Sequence, residues 1–391
     1  MNTSYVIATN VVSPLGFTTD ENFANVQAQK TGLGFQRFDF ASDIFCVSQF
    51  NEKALNEQFN QFSGIGGDFS KLEKMCILSV ADALKQTHHN CLGKDSMLIF
   101  CSTKGNIHLL EQIVKNQSFD PAILLTKTAQ RIADFLGFDN TPMVVSNACV
   151  SGTQGILIGK RLIHAGLYKN VIIVGGDLVS KFTVSGFKAF NALSGEPCKP
   201  FDQNRKGVNL GEGAATIILS KESPKNQEDI MVKSGFSSND ATHISAPSRV
   251  GAGLLKAIQK ISEKDSLEDI DFVSAHGTAT LYNDDMESQA LARADLNYVP
   301  IHSLKGYFGH TLGAAGVLES VIGIASLRHN QTVISKGFEN QGTIQQLNPI
   351  RSIEQKQLRG FFLFCCTSKQ TVNKYSLFGK YPKFTSNKPP K

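Results

Sequence analysis

Apolar and polar positions alternate along the chain in a pattern typical of buried strands followed by amphipathic helices. Continuous apolar runs predict strands at 5–12, 96–102, 143–146, 170–177 and 214–220. Apolar residues at helical spacing between them predict helices at 21–29, 70–86, 121–136 and 150–166. Apolar strands that alternate with helices indicate an α/β fold, in which helices cover both faces of a largely parallel sheet.

The pattern breaks at the polar, turn-rich segment 221–229 and then repeats. The second cycle predicts strands at 231–236, 270–274, 299–303, 358–364 and 372–378, and helices at 250–263, 284–294 and 313–328. We therefore expect two similar halves, an N-terminal half at 1–224 and a C-terminal half at 225–380. Residues 381–391 contain lysines and no acidic residue, and a basic, flexible tail is expected there.

Composition narrows the function classes. The 391 residues are 41% hydrophobic and carry a formal net charge of +5, most of it at the C-terminus. The body is therefore nearly neutral, and without a basic face or an aromatic-basic motif no nucleic-acid partner is expected. No apolar run reaches the length of a membrane helix, and the N-terminus lacks a secretory pattern. Since eight cysteines are too few for a disulfide scaffold, we expect a reduced cytoplasmic enzyme.

One cysteine stands where a predicted strand turns into a predicted helix. Cys149 directly precedes the helix at 150–166. A helix N-terminus presents unpaired N–H groups and a positive partial charge, and both stabilise the thiolate that acts as a nucleophile. Gly152, Gly155 and Gly159 share one face of this helix, so its backbone is expected to pack closely at the centre of the fold.

Two further segments place histidines beside glycine at predicted junctions. His276 ends an apolar strand and precedes Gly277, so its side chain is expected at the carboxyl edge of the sheet. Lys305 and His310 come just before a helix of small residues that contains Glu319. A lysine and a glutamate in so apolar a segment must pair or stay hydrated. One cysteine and two histidines form a candidate nucleophilic site, with a metal site as the alternative.

The remaining motifs predict neither a nucleotide cofactor nor a metal. The glycine-rich stretch 303–320 has neither the phosphate-loop nor the dinucleotide-binding pattern. His88 and His89 near Cys91 have no second ligand pair at zinc spacing.

These segments resemble the active-site signatures of the β-ketoacyl-acyl carrier protein (ACP) synthases of the two-histidine type, in the thiolase-like superfamily. The motifs are NACVSG at 147–152, HGTAT at 276–280 with Asp284 and Glu287 after it, KGYFGHTLGAAGVLE at 305–319, VVSPLG at 11–16 and KPFDQNRKGVNLGEGAA at 199–215. The resemblance spans residues 5–355. It implies two βαβαβ-type halves in a five-layered αβαβα thiolase-like fold, and a dimer.

The resemblance also implies a decarboxylative Claisen condensation. Cys149 would attack an acyl thioester on ACP and hold the acyl chain. His276 and His310 would bind the thioester oxygen of malonyl-ACP and stabilise the enolate that forms as carbon dioxide leaves. Lys305 would shape the electrostatics of the two histidines. The supporting residues would be Glu319, Thr278 and Asp284. No cofactor is implied, because the substrates are carried on the phosphopantetheine of ACP.

The C-terminal segment departs from the family pattern. Family members carry a Phe- and Gly-rich loop resembling NSFGFGGTN, which gates the acyl pocket and lends a backbone N–H to the oxyanion hole. Here no glycine occurs between Gly360 and Gly379, although any non-proline residue can supply such an N–H. We expect the oxyanion or gate region at Phe364, Cys365 and Cys366. A divergent gate, impaired activity and a different reading of this stretch are open as explanations.

The runner-up function is a non-catalytic partner subunit resembling a chain-length factor. Such subunits usually lack the nucleophilic cysteine, which is present here. Thiolases use a second cysteine in a glycine-rich setting, and initiating synthases pair one histidine with an asparagine, so both fit less well. The same catalytic residues serve fatty-acid synthesis and specialised polyene, pigment or polyketide pathways, and the divergent C-terminus favours a specialised pathway. ACP is the expected partner, with a homodimer expected and a heterodimer with a related subunit as the alternative.

Overall fold

The structure is a computed structural model that describes residues 3–40, 43–64, 68–224, 229–240, 248–365 and 371–380. None of the helices in these ranges is long and apolar enough to cross a membrane.

The strands belong to one large sheet and one small sheet. They are β1 (Tyr5–Val12), β2 (Leu33–Arg37), β3 (Ile44–Ser48), β4 (Ser96–Cys101), β5 (Met143–Val145), β6 (Asn170–Asp177), β7 (Leu210–Gly211), β8 (Gly213–Ser220), β9 (Ile230–Asp240), β10 (Phe272–Ser274), β11 (Pro300–His302), β12 (Asn348–Pro349), β13 (Gly360–Cys365) and β14 (Thr371–Lys380).

The helices alternate with these strands. They are α1 (Thr19–Gln27), α2 (Glu52–Ser63), α3 (Lys71–Lys85), α4 (Leu110–Asn116), α5 (Leu125–Leu136), α6 (Ser151–His164), α7 (Lys181–Ala189), α8 (Ala252–Ser262), α9 (Leu281–Arg293), α10 (Lys305–Phe308) and α11 (Ala315–His329).

The large sheet contains the same strand order twice. Its N-terminal part runs β5-β4-β6-β8-β1, and its C-terminal part runs β11-β10-β13-β14-β9 with β12 added at the edge. In the order given for each part, the first two strand pairings are parallel and the last two are antiparallel. The parts meet where Tyr5 of β1 pairs with Met231 of β9. This repetition is what the sequence pattern predicts for two similar halves.

The helices form three layers around the two parts of the sheet. Helices α6 and α11 lie between the parts and contact strands of both, while α3 and α8 cover the two outer faces. One apolar cluster fills the central layer, and two others lie under the outer helices. Apolar burial is the main driving force for such packing, and α11 is buried on every side because it lies in the middle layer.

Glycines allow the two central helices to cross closely. A Cβ atom at Gly152 would lie 2.8 Å from the backbone nitrogen of Val317, and one at Gly316 would lie still closer to the backbone of α6. Gly155 and Gly159 on the same face of α6 lie against side chains of β4 and β6. The prediction of a closely packed central helix is therefore confirmed.

Gly152→Ala is expected to lower the free energy of unfolding by about 1–3 kcal/mol, because the new methyl group overpacks the crossing. Chemical denaturation followed by circular dichroism measures this change. The matched control is Gly186→Ala in α7, where a Cβ would meet nothing within 4 Å. Alanine there improves helix propensity by up to about 1 kcal/mol. Equal stability of the Gly152 variant and the unchanged protein would contradict the close crossing.

The structure differs from the predicted elements mainly by additional short elements. The hairpin of β2 and β3, and helices α2, α4 and α7, are not predicted from the sequence. The predicted helix at 121–136 divides into a short 3-10 turn, Pro121–Ile123, and α5. The half boundary at 224/225 stays a prediction because residues 225–228 lie outside the described ranges, as does the tail at 381–391.

Candidate active site

Three of the site residues, His276, Lys305 and Cys365, follow or end strands whose carboxyl ends meet at one edge of the C-terminal part of the sheet. β10 pairs in parallel with both β11 and β13. His276 comes two residues after β10, Lys305 comes three residues after β11, and Cys365 ends β13. The topology therefore brings side chains that are far apart in the sequence to one place.

The turn that carries Cys149 is held in an unusual backbone conformation. Ala148 has a φ of 46°, in the left-handed region that non-glycine residues rarely adopt. The hydroxyl of Ser151 accepts a hydrogen bond from the Asn147 N–H at 2.7 Å and donates one to the Ala148 carbonyl at 2.6 Å. The side chain that opens α6 thus holds the turn, and Cys149 stands partly accessible at the helix N-terminus. Strained turns of this kind occur often at functional sites.

His310 contacts the sulfur of Cys149 directly. Its Nε2 lies 3.0 Å from Sγ, and its Nδ1 accepts a hydrogen bond from the Leu312 N–H at 3.3 Å. Because Nδ1 accepts, the proton of the neutral ring is on Nε2, which donates towards the sulfur. The backbone of His310 is held in turn by Asn209 and Gly211, at 2.7 and 3.1 Å.

His276 lies beside His310 with its ring nearly perpendicular. The ring centroids are 5.0 Å apart and the ring planes are inclined by 84°. Nδ1 of His276 lies 3.4 Å from the sulfur of Cys365, which also donates to the Cys149 carbonyl at 2.9 Å. The sulfur of Cys149 and one nitrogen from each histidine all lie within 4.8 Å of one another. The three residues singled out from the sequence therefore converge.

Lys305 is fully buried and forms an ion pair with Glu319, with Nζ and Oε1 2.8 Å apart. Burial opposes the charged form, but nearby acidic groups, Glu319 foremost, outweigh it and raise the pKa of Lys305 above its usual value. Lys305 therefore carries a positive charge at neutral pH, with Glu319 as its counter-charge. Of the two outcomes that the sequence leaves open for this lysine and glutamate, pairing or hydration, the structure shows pairing.

Burial and this positive charge keep both histidines neutral. Burial lowers the pKa of His276 and of His310 well below the usual value, and Lys305 lowers both further. A neutral imidazole can donate one hydrogen bond without adding charge, as the resemblance requires.

The charge state of Cys149 differs from the sequence-based expectation. Although part of the residue is accessible, burial raises the pKa of its thiol to about 12, and Lys305 opposes this rise without overcoming it. The free protein therefore holds a thiol at neutral pH. The expectation that the helix N-terminus stabilises a thiolate is wrong for this state, because desolvation of the sulfur dominates.

The predicted supporting residues shape the backbone around His276. Asp284 is buried and accepts a hydrogen bond from the Phe201 N–H at 2.8 Å. Burial raises its pKa to about 6. Thr278 is nearly buried, and its hydroxyl lies 2.9 Å from that of Thr280. Glu287 accepts from the N–H of Gly277, the residue that follows His276, at 3.1 Å.

Glu287→Gln is expected to flatten the dependence of stability on pH. Burial, together with Asp284, raises the pKa of Glu287 from 4.5 to about 8. Between these values the folded state holds a proton that the unfolded state has lost, so stability falls as the pH rises. A neutral amide removes up to about 1.4 kcal/mol per pH unit of that slope. Denaturation between pH 5 and 8 measures it, with the exposed Glu263→Gln as control. An unchanged slope would show that Glu287 is ionised in the folded protein.

Sequence reasoning missed Asp177, which ends β6 and is fully buried. Its carboxylate accepts hydrogen bonds from the backbone N–H of Thr103, Lys104 and Gly313, at 2.7–3.1 Å. It thereby ties the loop after β4 to the segment that follows His310. The signal available in the sequence was an acidic residue at the end of a predicted apolar strand.

The predicted gate residues divide between the core and the site. Phe364 is buried in the apolar cluster under α8 and α9, with its ring 6.0 Å from that of Phe362. Cys365 reaches the site. Cys366 lies outside the described residues. The position of the oxyanion donor stays a prediction.

The three convergent side chains also have the composition of a transition-metal site. Two observations favour catalysis: the positive charge of Lys305 nearby, and a proton on the nitrogen of His310 that faces Cys149. The expectation that no metal is bound stays a prediction.

Two models of known protein domains match this sequence. The N-terminal domain of β-ketoacyl synthases matches residues 100–225, and the C-terminal domain of β-ketoacyl synthases matches residues 229–339. Together the matches span more than half of the chain and contain Cys149, His276 and His310. This chain belongs to the β-ketoacyl synthase family. The resemblance seen in the motifs is thereby confirmed, and so is the class of enzyme, an acyltransferase.

Individual relatives of this β-ketoacyl synthase are distant. A 3-oxoacyl-[acyl-carrier-protein] synthase 2 from Synechocystis is 25% identical over 86% of this chain and 88% of its own length. The ketoacyl synthase alpha subunit of a tetracenomycin polyketide synthase from Streptomyces glaucescens is 27% identical over 68% of this chain and 66% of its own.

Solved structures confirm the thiolase-like fold. A ketosynthase structure in complex with its chain length factor, from Xenorhabdus doucetiae, superposes with a TM-score of 0.78 at 20% identity. The superposition covers 97% of this chain and 98% of that one. At this level of identity the likeness concerns the fold alone.

Proposed function

We propose that this chain condenses an acyl group held on Cys149 with malonyl-ACP, and releases carbon dioxide and a β-ketoacyl-ACP. The observation that carries the proposal is the convergence of the Cys149 sulfur with one nitrogen each of His276 and His310, all within 4.8 Å. A nucleophile and two neutral hydrogen-bond donors are the groups that the two half-reactions need.

The first half-reaction transfers the acyl group to Cys149. The Nε2–H of His310 points at the sulfur, and the N-terminus of α6 lies next to it, so both stabilise negative charge as the sulfur attacks. The thioester bond to ACP breaks as the new thioester forms. The proton of the Cys149 thiol ends on the departing phosphopantetheine thiol, so this step is balanced.

The second half-reaction uses the same donors. His276 and His310 bind the thioester oxygen of malonyl-ACP, and its carboxylate leaves as carbon dioxide. The resulting enolate attacks the acyl carbon on Cys149, and the released sulfur takes a proton from solvent. The fixed charge of Lys305 stabilises the enolate and keeps both imidazoles neutral. No step requires a cofactor of the protein itself.

Phosphopantetheine on ACP is the proposed carrier of both substrates. Support comes from the Synechocystis relative, which is a synthase named for this carrier. The likeness to a polyketide synthase subunit supports a specialised pathway over housekeeping fatty-acid synthesis, as does the glycine-free stretch after Gly360. The sparse cysteines support the cytoplasm as the compartment.

We also propose that the active form is a dimer. β5, four residues before Cys149, is one of the two edge strands of the large sheet in the described chain, and an edge strand can pair with a second chain. A homodimer gives a solution mass of twice 42.5 kDa. The solved complex with a chain length factor supports a heterodimer with a related subunit as the alternative.

The test is product formation by the purified protein. Acyl-ACPs of several chain lengths are mixed with malonyl-ACP, and the ACP species are separated and weighed by mass spectrometry. The proposal predicts a β-ketoacyl-ACP two carbons longer than the donor, formed with carbon dioxide. If no mixture yields the β-ketoacyl-ACP, but this product forms once a related subunit is added, the result would support the partner-subunit function.

A further inference from the structure

Cys365 is a buried thiol that touches two residues of the proposed mechanism. It ends β13, and the register Ser274–Leu363 between β10 and β13 places it next to His276. Its sulfur lies 3.4 Å from Nδ1 of His276 and 2.9 Å from the carbonyl oxygen of Cys149. Cys149, His276 and Cys365 come from distant parts of the sequence.

The two histidines differ in what faces Nδ1. In His310 a backbone N–H donates to Nδ1, and a backbone N–H can only donate, so the ring proton is fixed on Nε2. In His276 the neighbour is the thiol of Cys365, which can donate or accept. The tautomer of His276 therefore depends on where the thiol proton points.

The described contacts offer the single proton of Cys365 two acceptors, and the nearer one, the Cys149 carbonyl at 2.9 Å, holds it in the described structure. If it points at Nδ1 of His276, the ring carries its own proton on Nε2 and can donate to a thioester oxygen. If it points at the carbonyl of Cys149, Nδ1 donates to the sulfur and Nε2 is left without a proton. The first arrangement supplies the second hydrogen bond to the enolate and the other does not.

We propose that Cys365 is a positioning residue that selects the tautomer of His276, and that decarboxylation requires its thiol to turn from the Cys149 carbonyl to Nδ1. This inference rests on the proposed function. It assigns no role to Cys365 in acyl transfer, because Cys365 contacts the carbonyl oxygen of Cys149, whereas His310 contacts the nucleophilic sulfur.

The experiment compares Cys365→Ala, Cys365→Ser and Cys91→Ala with the unchanged protein. Serine retains a donor of similar size. The Cys91 variant removes a buried thiol just before β4, at the opposite end of that strand from Cys149. Two rates are measured: conversion of malonyl-ACP into acetyl-ACP and carbon dioxide without an acyl donor, and acylation of Cys149 by an acyl-ACP.

Cys365→Ala is expected to slow decarboxylation by about 10–100-fold, the usual cost of removing a group that orients a functional histidine. Its acylation rate, which also reports that the variant is folded, is expected to stay within about threefold. Cys365→Ser is expected to restore decarboxylation to within about threefold, and Cys91→Ala to change neither rate. Nitrogen-15 NMR of His276 is expected to show the proton on Nδ1 in the unchanged protein alone and on Nε2 when an unreactive malonyl-ACP analogue is bound. The serine variant is expected to behave in the same way, and the alanine variant to show a mixture in both samples.

Three results would overturn the inference: unchanged decarboxylation in Cys365→Ala, no recovery in Cys365→Ser, or a proton that stays on Nδ1 of His276 when the analogue is bound to the unchanged protein. The NMR result needs no variant, so misfolding cannot obscure it. If the unchanged protein is acylated but never decarboxylates malonyl-ACP, the proposed function itself fails, and that failure is distinct from an effect of Cys365.

Discussion

His276→Ala is expected to slow decarboxylation of malonyl-ACP by about 10²–10³-fold, the cost of removing one donor to a developing oxyanion. Acylation of Cys149 is expected to change little, because His276 does not contact its sulfur in the described structure. The two half-reactions should therefore separate. Rapid-quench mass spectrometry of acetyl-ACP and of the acyl-enzyme measures both rates on one sample.

His310→Ala is the informative contrast, because this residue serves both half-reactions. Its Nε2 lies 3.0 Å from the Cys149 sulfur, so acylation should fall along with decarboxylation. His88→Ala, at an exposed position, is the control and should change neither rate. Equal effects of the two active-site variants on acylation would contradict the division of roles between the histidines.

Lys305→Ala is expected to lower the free energy of unfolding by about 3–5 kcal/mol, because Glu319 would be left buried without its counter-charge. It should also weaken condensation, since the positive charge that stabilises the enolate is lost. Denaturant titration gives the stability change, and β-ketoacyl-ACP formation gives the activity.

A double variant separates the two effects. Lys305→Met with Glu319→Met removes both buried charges while keeping apolar volume, so stability should return close to that of the unchanged protein. Activity should remain low. Lys206→Ala breaks an exposed pair with Glu196 and should cost less than about 1 kcal/mol. Full activity in the double variant would contradict an electrostatic role for Lys305.

The strands and the central helices follow from local patterns in the sequence. The convergence of Cys149 with the histidines does not, because β5 and β10 lie near opposite ends of the strand order and the packing of α6 against α11 brings the two halves together. The glycine face of α6 predicts close packing, because few other arrangements explain three glycines on one side of a helix.

Other features depend on contacts between distant segments, which local patterns do not record. Asp177 holds the segment after His310 through backbone groups more than a hundred residues away. The pKa of Cys149 is set by the packing around it, so its position at a helix N-terminus predicts the wrong charge. Cys365 resembles any cysteine in a buried strand until the register of β13 against β10 places it beside His276.

The most direct test of the account is the intact mass of the purified protein after incubation with a panel of acyl-ACPs, beside Cys149→Ala. The account predicts one acyl adduct on the unchanged protein, with some chain lengths preferred, and none on the variant. An unmodified mass with every donor, or an adduct that survives in the variant, would contradict the role of Cys149 as the nucleophile.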